Sequence, residues 1–501
     1  MMDQTQTPIL SALQESGQRS MAAFFAPGHK RGQGASPRLK QVLGTAALRS
    51  DLPELPELDN LFAPEGIIRA AQELAAAAFG AEQTWFLANG STCGLEAAIL
   101  ATCNPGDKIL VPRNVHRSVI SGLVLAGARP VYVLPEYAPD LGLVLGVQAE
   151  AIAAALAHHP DIRAVLLVSP TYHGICSQVA AIAAIAHAHG IPLLVDEAHG
   201  AHLAFHPQLP ASALAQGADL VVQSTHKVLS ALSQAAMIHS QGDRIDRDRL
   251  RAALALVQSS SPNYLLLASL DAARHQIATA GESHLSDTLA LALALRAQLS
   301  AIPGLSVVDL PALAAYSSVQ DLDLTRISVD VSDLGLTGLA ADAILHEELG
   351  VTVELPELRH LTLIVSLGNT SADGWRCLEG FRTLAERFPI QKNPSMAPAA
   401  TPQMEYAEAP LSLPLVSPRE AFFAPKETVR TAAAPGRISA ETLSAYPPGI
   451  PTLVAGEVIT PEAIAYLRTV KHQGGYVTGA SDPALETLQV LSREPLRAFL
   501  G

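Results

Sequence analysis

The chain is 501 residues long, more than one ordinary core accommodates, so two or three packed units are expected. Forty-seven acidic residues against thirty-three basic ones leave a net charge of -14, and no basic stretch could neutralise phosphates in series. Nucleic acid and anionic membrane are therefore not expected as partners.

The cysteines, Cys93, Cys103, Cys176 and Cys377, have neither metal-ligand spacing nor a dense framework, and the first residues lack a basic region followed by an apolar core. A reduced, cytoplasmic setting without a metal site fits that pattern. Arg296 and Gln298 break the apolar run "LALALAL" well before it could span a bilayer, so no membrane association is expected.

In chain order, residues 1–60 read as an N-terminal segment. Residues 61–300 read as one large domain in which "KILVP", "PVYVLP", "AVLLVSP", "IPLLVDEAH" and "DLVVQS" alternate with Ala-rich helical stretches such as "STCGLEAAILATC" and "QVAAIAAIAHAHG". Strands apolar on both faces and separated by helices indicate a parallel sheet covered on each side. Over 301–390 the texture changes: "RISVDVSDLG", a helical "TGLAADAILHEELG", then "VTVEL" and "LTLIVSLGNT" suggest a smaller α+β domain. Residues 391–418, rich in Pro and Ala, read as a linker. Residues 419–501 read as a small C-terminal α/β unit, in which Thr460 caps a helix with Pro461 at its first position.

In parallel sheets ligands bind beyond the carboxyl ends of the strands, so chemistry is sought in the residues after each apolar run. "FLANGSTCGLEAAIL" ends a strand and opens a helix at Asn89-Gly90-Ser91-Thr92; free amides, two hydroxyls and a glycine suit a phosphate, although Ser and Thr are also ordinary caps. His116 follows "KILVP" in "PRNVHRSV", either a surface residue or an imidazole lying flat against an aromatic cofactor. In "LLVDEAHGAH", Asp196 ends an apolar run, an expensive place for a carboxylate unless a partner meets it. It either caps the next turn or receives a protonated ring nitrogen, with His199 nearby to orient it. After the next strand stands Lys227, in "VVQSTHKVLSALSQAAMIH". An anchor for phosphate, a partner for a pyridinium nitrogen and an imine-forming amine are the three fixtures pyridoxal phosphate requires. Ser224 is spaced to add a hydroxyl to the phosphate site.

These segments also carry a family resemblance. "NGST", "RNVHRSV", "SPTYHGI", "DEAHGAH" and above all "STHKVLSALSQAAMIH" resemble the Orn/Lys/Arg decarboxylases, pyridoxal-phosphate enzymes of fold type I with the aspartate-aminotransferase fold. "APGHKRG", "LDNLFAPEGII", "SSSPNYLLLASLDAAR" and "YPPGIPTLVAGEVI" resemble further segments of the shorter bacterial members. The resemblance implies an α/β fold, with a large, mainly parallel-sheet domain followed by the two smaller units. It implies that Lys227 carries the cofactor as an imine and that Asp196 pairs with the pyridine nitrogen. Ser91, Thr92 and Ser224 would then hold phosphate, His116 would stack on the ring, and His226 would line the site. It also implies a homodimer or larger homo-oligomer with shared sites, Ser259 and Ser260 lying in the segment that reaches a neighbour's phosphate.

Decarboxylation needs the substrate carboxylate perpendicular to the conjugated plane and poorly solvated. Transaminases of this fold hold that carboxylate with an arginine in the smaller domain; "LTLIVSLGNT" has Leu363, Ile364 and Val365 there, with Arg326 a substitute nearby. The expected function is decarboxylation of lysine, arginine or ornithine to the amine, feeding polyamine metabolism. The alternatives are an aminotransferase of the same fold and a catalytically silent cofactor-binding regulator. The substrate's remote cation calls for a carboxylate, for which Glu457, Asp482 and the cluster of Asp51, Glu54, Glu57 and Asp59 are the candidates.

Overall fold

The computed structural model describes residues 2–390, 416–446 and 450–492. Most of the expected 391–418 linker, and the two prolines that begin "PPGIP", lie outside the described residues. The fold is mixed α/β with a mainly parallel central sheet. It divides into two compact units, Met1–Ala101 with Leu194–Ser286 and Thr102–Leu193 with Asp287–Gly501.

In the first unit the strands Gln83–Leu87, Ala236–Ser240, Leu220–Gln223 and Leu193–Asp196 lie side by side in that order. The last two are parallel, whereas Ala236–Ser240 runs antiparallel to both its neighbours. Leu220, Val221 and Val222 are all buried, each worth roughly 1.5–3 kcal/mol of transfer energy. The helix Gly90–Thr102 packs closely on this sheet because residue 94 is glycine: a Cβ there would lie 2.7 Å from Leu87 Cδ1 and 2.7 Å from Val222 Cγ1. At the amino end, the helix Pro8–Gln18 is held by a buried ion pair, Arg274 to Asp271 at 2.6 Å. Asp271 accepts the amides of Ile9 and Leu10, and Arg274 donates to the carbonyls of Gln4 and Gln6.

In the second unit, Lys108–Pro112 lies between Arg129–Val133 and Ile162–Val168, all parallel. A separate antiparallel sheet orders Ser306–Val307, Arg326–Asp330, His360–Ile364 and Leu355–Pro356, so "VTVEL" contributes only its last residue to a strand. Ile327, Val329, Leu361 and Phe381 form its core. Toward the carboxyl end, Leu443–Tyr446 pairs with Pro451–Leu453 and Tyr476–Thr478. The helix Pro461–His472 is capped by Thr460, whose hydroxyl accepts the Ala463 amide at 3.1 Å. Among the described residues no helix is long and apolar enough to cross a membrane, and no group of side chains could hold a metal ion.

Candidate active site

In the first unit, three strand ends deliver the expected groups. The strand Leu193–Asp196 finishes on Asp196, which is buried and accepts the Ala198 amide at 3.1 Å through Oδ1. Burial raises the pKa of its carboxyl, while the Lys227 charge and the Ala198 amide act the other way. Lys227 lies in the four-residue helix Thr225–Val228 directly after Leu220–Gln223, half-buried, with Nζ 2.9 Å from His199 Nε2. An imidazole nitrogen facing an amine at that distance can hold or take a proton from it. His199 is itself buried three residues beyond Asp196.

After Gln83–Leu87 the chain turns through Gly90, at φ 77°, into the helix Gly90–Thr102. The Ser224 hydroxyl donates to Ser91 Oγ at 2.7 Å, so the two hydroxyls meet at the helix N-terminus, while Thr92 is exposed. The Asn89 side chain accepts the Ser259 amide at 3.2 Å, which brings residues 259–261 beside the same turn; Ser259 and Ser260 are exposed. His226 faces the Ala235 carbonyl through Nδ1 at 2.9 Å.

In the second unit, His116 follows the strand Lys108–Pro112 and caps the helix Arg117–Ala126, its Nδ1 2.8 Å from Ser118 Oγ. Arg326 is buried, and burial lowers its pKa against the opposing charges of Asp323 and Glu354.

The candidate carboxylates for a remote cation each have partners within the protein. Glu457 accepts from Arg113 at 2.8 Å and from the Val454 amide at 2.8 Å. Asp482 accepts the amides of Ala484, Glu486 and Thr487, bonds that hold its carboxyl below the usual range. Asp51 meets His29 at 3.0 Å, Glu54 takes the Leu61 amide at 3.0 Å, Glu57 meets Arg19 at 2.8 Å, and Asp59 takes the Gly66 and Ile68 amides at 2.8 and 3.0 Å.

The donor set of the first unit fits pyridoxal phosphate. The helix amides with Ser91 and Ser224 suit a phosphate, the buried Asp196 suits a protonated ring nitrogen, and Lys227 supplies the amine. The Thr225 hydroxyl, buried with no hydrogen-bond partner among the described residues, adds an unused donor next to Ser224. Sequence reasoning missed Glu197, Gln223, His239 and Thr84, which form a buried hydrogen-bonded line behind Asp196. The acidic pair Asp196-Glu197 at one strand end was the available signal.

Known proteins resemble this chain in sequence and in fold. A family model described as Orn/Lys/Arg decarboxylase, major domain, matches residues 7–317, and its C-terminal domain model matches residues 402–479. An arginine decarboxylase of Bacillus subtilis is 37% identical over 496 residues, 98% of this chain and 99% of that protein. The solved lysine decarboxylase A from Pseudomonas aeruginosa superposes with a TM-score of 0.81 at 24% identity, over 97% of this chain and 81% of the other. An alanine–glyoxylate aminotransferase from Nostoc shares the fold over 63% of this chain and 86% of its own, with a TM-score of 0.52 at 17% identity.

Proposed function

The chain belongs to the Orn/Lys/Arg decarboxylase family, and on that premise we propose that it removes the α-carboxylate of a basic L-amino acid, releasing CO2 and an amine that feeds polyamine metabolism. It is an amino-acid decarboxylase, and its cofactor is pyridoxal phosphate. The observation that carries the reading is the meeting of Lys227 Nζ with His199 at 2.9 Å, with Asp196 buried three residues before that ring.

Pyridoxal phosphate, when bound, supplies the sink for the electron pair left at the α-carbon as CO2 departs. The protein's own groups do the rest. The amides opening the helix Gly90–Thr102, with Ser91, Thr92 and Ser224, would hold the phosphate. Asp196 would keep a proton on the ring nitrogen, an interaction that its burial would strengthen. Lys227 would provide the amine of attachment, with the His199 imidazole 2.9 Å away to exchange a proton with it. The family resemblance assigns His116 to lie against the ring and His226 to line the site.

Arginine is the first substrate to test, because the Bacillus subtilis relative, matched over nearly the whole of both chains, is an arginine decarboxylase. Lysine and ornithine complete the panel. Release of CO2 and the matching amine from one of the three supports the reading. Formation of a keto acid with amino transfer would instead identify an aminotransferase, and cofactor binding without product from any of them a silent regulator. We further propose a cytoplasmic homodimer or larger homo-oligomer. Phe24, Val42 and Leu43 are 95%, 80% and 48% exposed, apolar surface of the kind an assembly covers; a monomeric mass in light scattering would refute it.

A further inference from the structure

The strands of the first unit carry a line of polar side chains on the face that alternation sets opposite Asp196. Thr84 and His239 are cross-strand partners, with Oγ1 and Nδ1 2.7 Å apart. His239 Nε2 lies 3.0 Å from Gln223 Oε1, and Gln223 Nε2 donates to Glu197 Oε2 at 2.7 Å. The Ala213 amide donates to the other oxygen, Glu197 Oε1, at 2.7 Å. All four side chains belong to buried residues, none more than 2% exposed.

With Glu197 ionised, chemistry permits one direction for each bond. The Gln223 amide hydrogen goes to Glu197, so the Gln223 oxygen accepts Nε2–H from His239, and His239 Nδ1 accepts from the Thr84 hydroxyl. Burial pushes the His239 pKa down to about 3, which keeps the ring neutral as this direction requires. Burial pushes Glu197 up to about 7, and the N–H donors of Gln223 and Ala213 oppose it. In this direction both Glu197 oxygens accept. The Glu197 backbone is pinned as well: its amide donates to Val222 O at 2.9 Å and its carbonyl accepts from Gly200 at 2.9 Å. A buried polar line adds little net stability over apolar packing of the same shape. What it adds is direction.

We propose that Glu197 is a positioning residue for the site: ending a directed chain of buried hydrogen bonds from Thr84 through His239 and Gln223, it fixes the turn over residues 196–200 that presents both the Asp196 carboxylate and the His199 ring. This rests on the reading of Asp196 and Lys227 given above. The pinned residue stands immediately after Asp196 and two before His199, so any rotation of the turn moves both.

The test uses the holoenzyme carrying pyridoxal phosphate labelled with 15N in the ring, whose chemical shift reports whether the ring nitrogen holds a proton. Asp196→Asn is the control: if it leaves that signal unmoved, the reading of the site itself fails. Glu197→Leu removes both acceptors and breaks the chain, whereas the exchange variant Glu197→Gln/Gln223→Glu restores every link with the charge moved one strand over. Glu197→Leu is expected to shift the ring nitrogen toward its unprotonated value and to lower kcat roughly 10- to 100-fold at little changed KM, and the exchange variant to recover both. A ring-nitrogen signal unmoved in Glu197→Leu, with the Asp196→Asn control responding, overturns the inference alone. So does an exchange variant that folds yet performs no better than the single one. Should Glu197→Leu not fold, Thr84→Val removes only the first link and must move the same signal in the same direction; no movement overturns the proposal.

Discussion

Two cations stand just past buried strands, one in each unit, and they have opposite fates. Arg113, after Lys108–Pro112, is 4% exposed; it donates to Glu457 at 2.8 Å and to the carbonyls of Pro451 and Thr452 at 2.7 and 3.3 Å, with Tyr132 5.2 Å from its guanidinium carbon. Lys227, after Leu220–Gln223, is half-buried and shares a hydrogen bond with an imidazole. A planar, permanently charged guanidinium spread over a carboxylate and two carbonyls is a clamp. An amine beside a ring nitrogen is kept close to a proton acceptor and remains a potential nucleophile. In sequence the two positions look alike; in the fold their partners differ.

The comparison breaks most sharply at Lys227. Lys227→Ala is expected to abolish the visible absorption of bound cofactor and essentially all turnover. Lys227→Arg, which puts Arg113's chemistry at this position, is not expected to rescue it, because guanidinium forms no imine. Absorption spectra and CO2 release check both. Next in size, Asp196→Asn should retain cofactor through the phosphate site and lose roughly 10²–10³-fold in kcat; near-normal turnover of a loaded variant contradicts the role.

Glu457→Gln tests the other cation. It leaves the buried Arg113 without its carboxylate, and the expected loss is about 1–3 kcal/mol in urea unfolding, with the ratio of kcat/KM among arginine, lysine and ornithine unchanged. A selective loss for one amino acid would make Glu457 a substrate contact.

The smallest effect concerns a group that burial keeps neutral. His239 is pushed from 6.5 down to about 3, so the unfolded chain takes up a proton near 6.5 that the folded one refuses. Stability is complete above 6.5 and declines as the pH falls toward 3, by at most about 1.4 kcal/mol per pH unit for this ring. Burial acts on His360 in the same direction, again to about 3. Replacing His239 with Gln should make the acid limb of a urea-midpoint series at pH 7, 6 and 5 shallower; an unchanged limb would mean that the ring is charged in the fold.

Lys227 and Asp196 were legible because ions at the ends of buried apolar runs violate a local pattern, and local patterns survive in sequence. The five apolar runs were legible for the same reason, each containing a strand of the central sheet. The direction of Ala236–Ser240 was not, since five buried residues read alike whichever way the strand runs. Glu457 was expected on rigid backbone and is held there, yet by a residue 344 positions away. Thr84 and His239 are likewise 155 apart. Nothing near either residue marks such a partner, and that distance hid both the clamp and the polar line behind Asp196.

The Asp271–Arg274 pair sets an order on synthesis. Asp271 accepts the Ile9 amide across 262 positions of sequence, so this part of the helix's seat is complete only once the ribosome has passed residue 274. At translation rates of about 5–20 residues per second, that comes on the order of tens of seconds after the helix itself is made. The helix can meet Ile67–Phe79 well before then, and the buried ion pair is the lock that closes last.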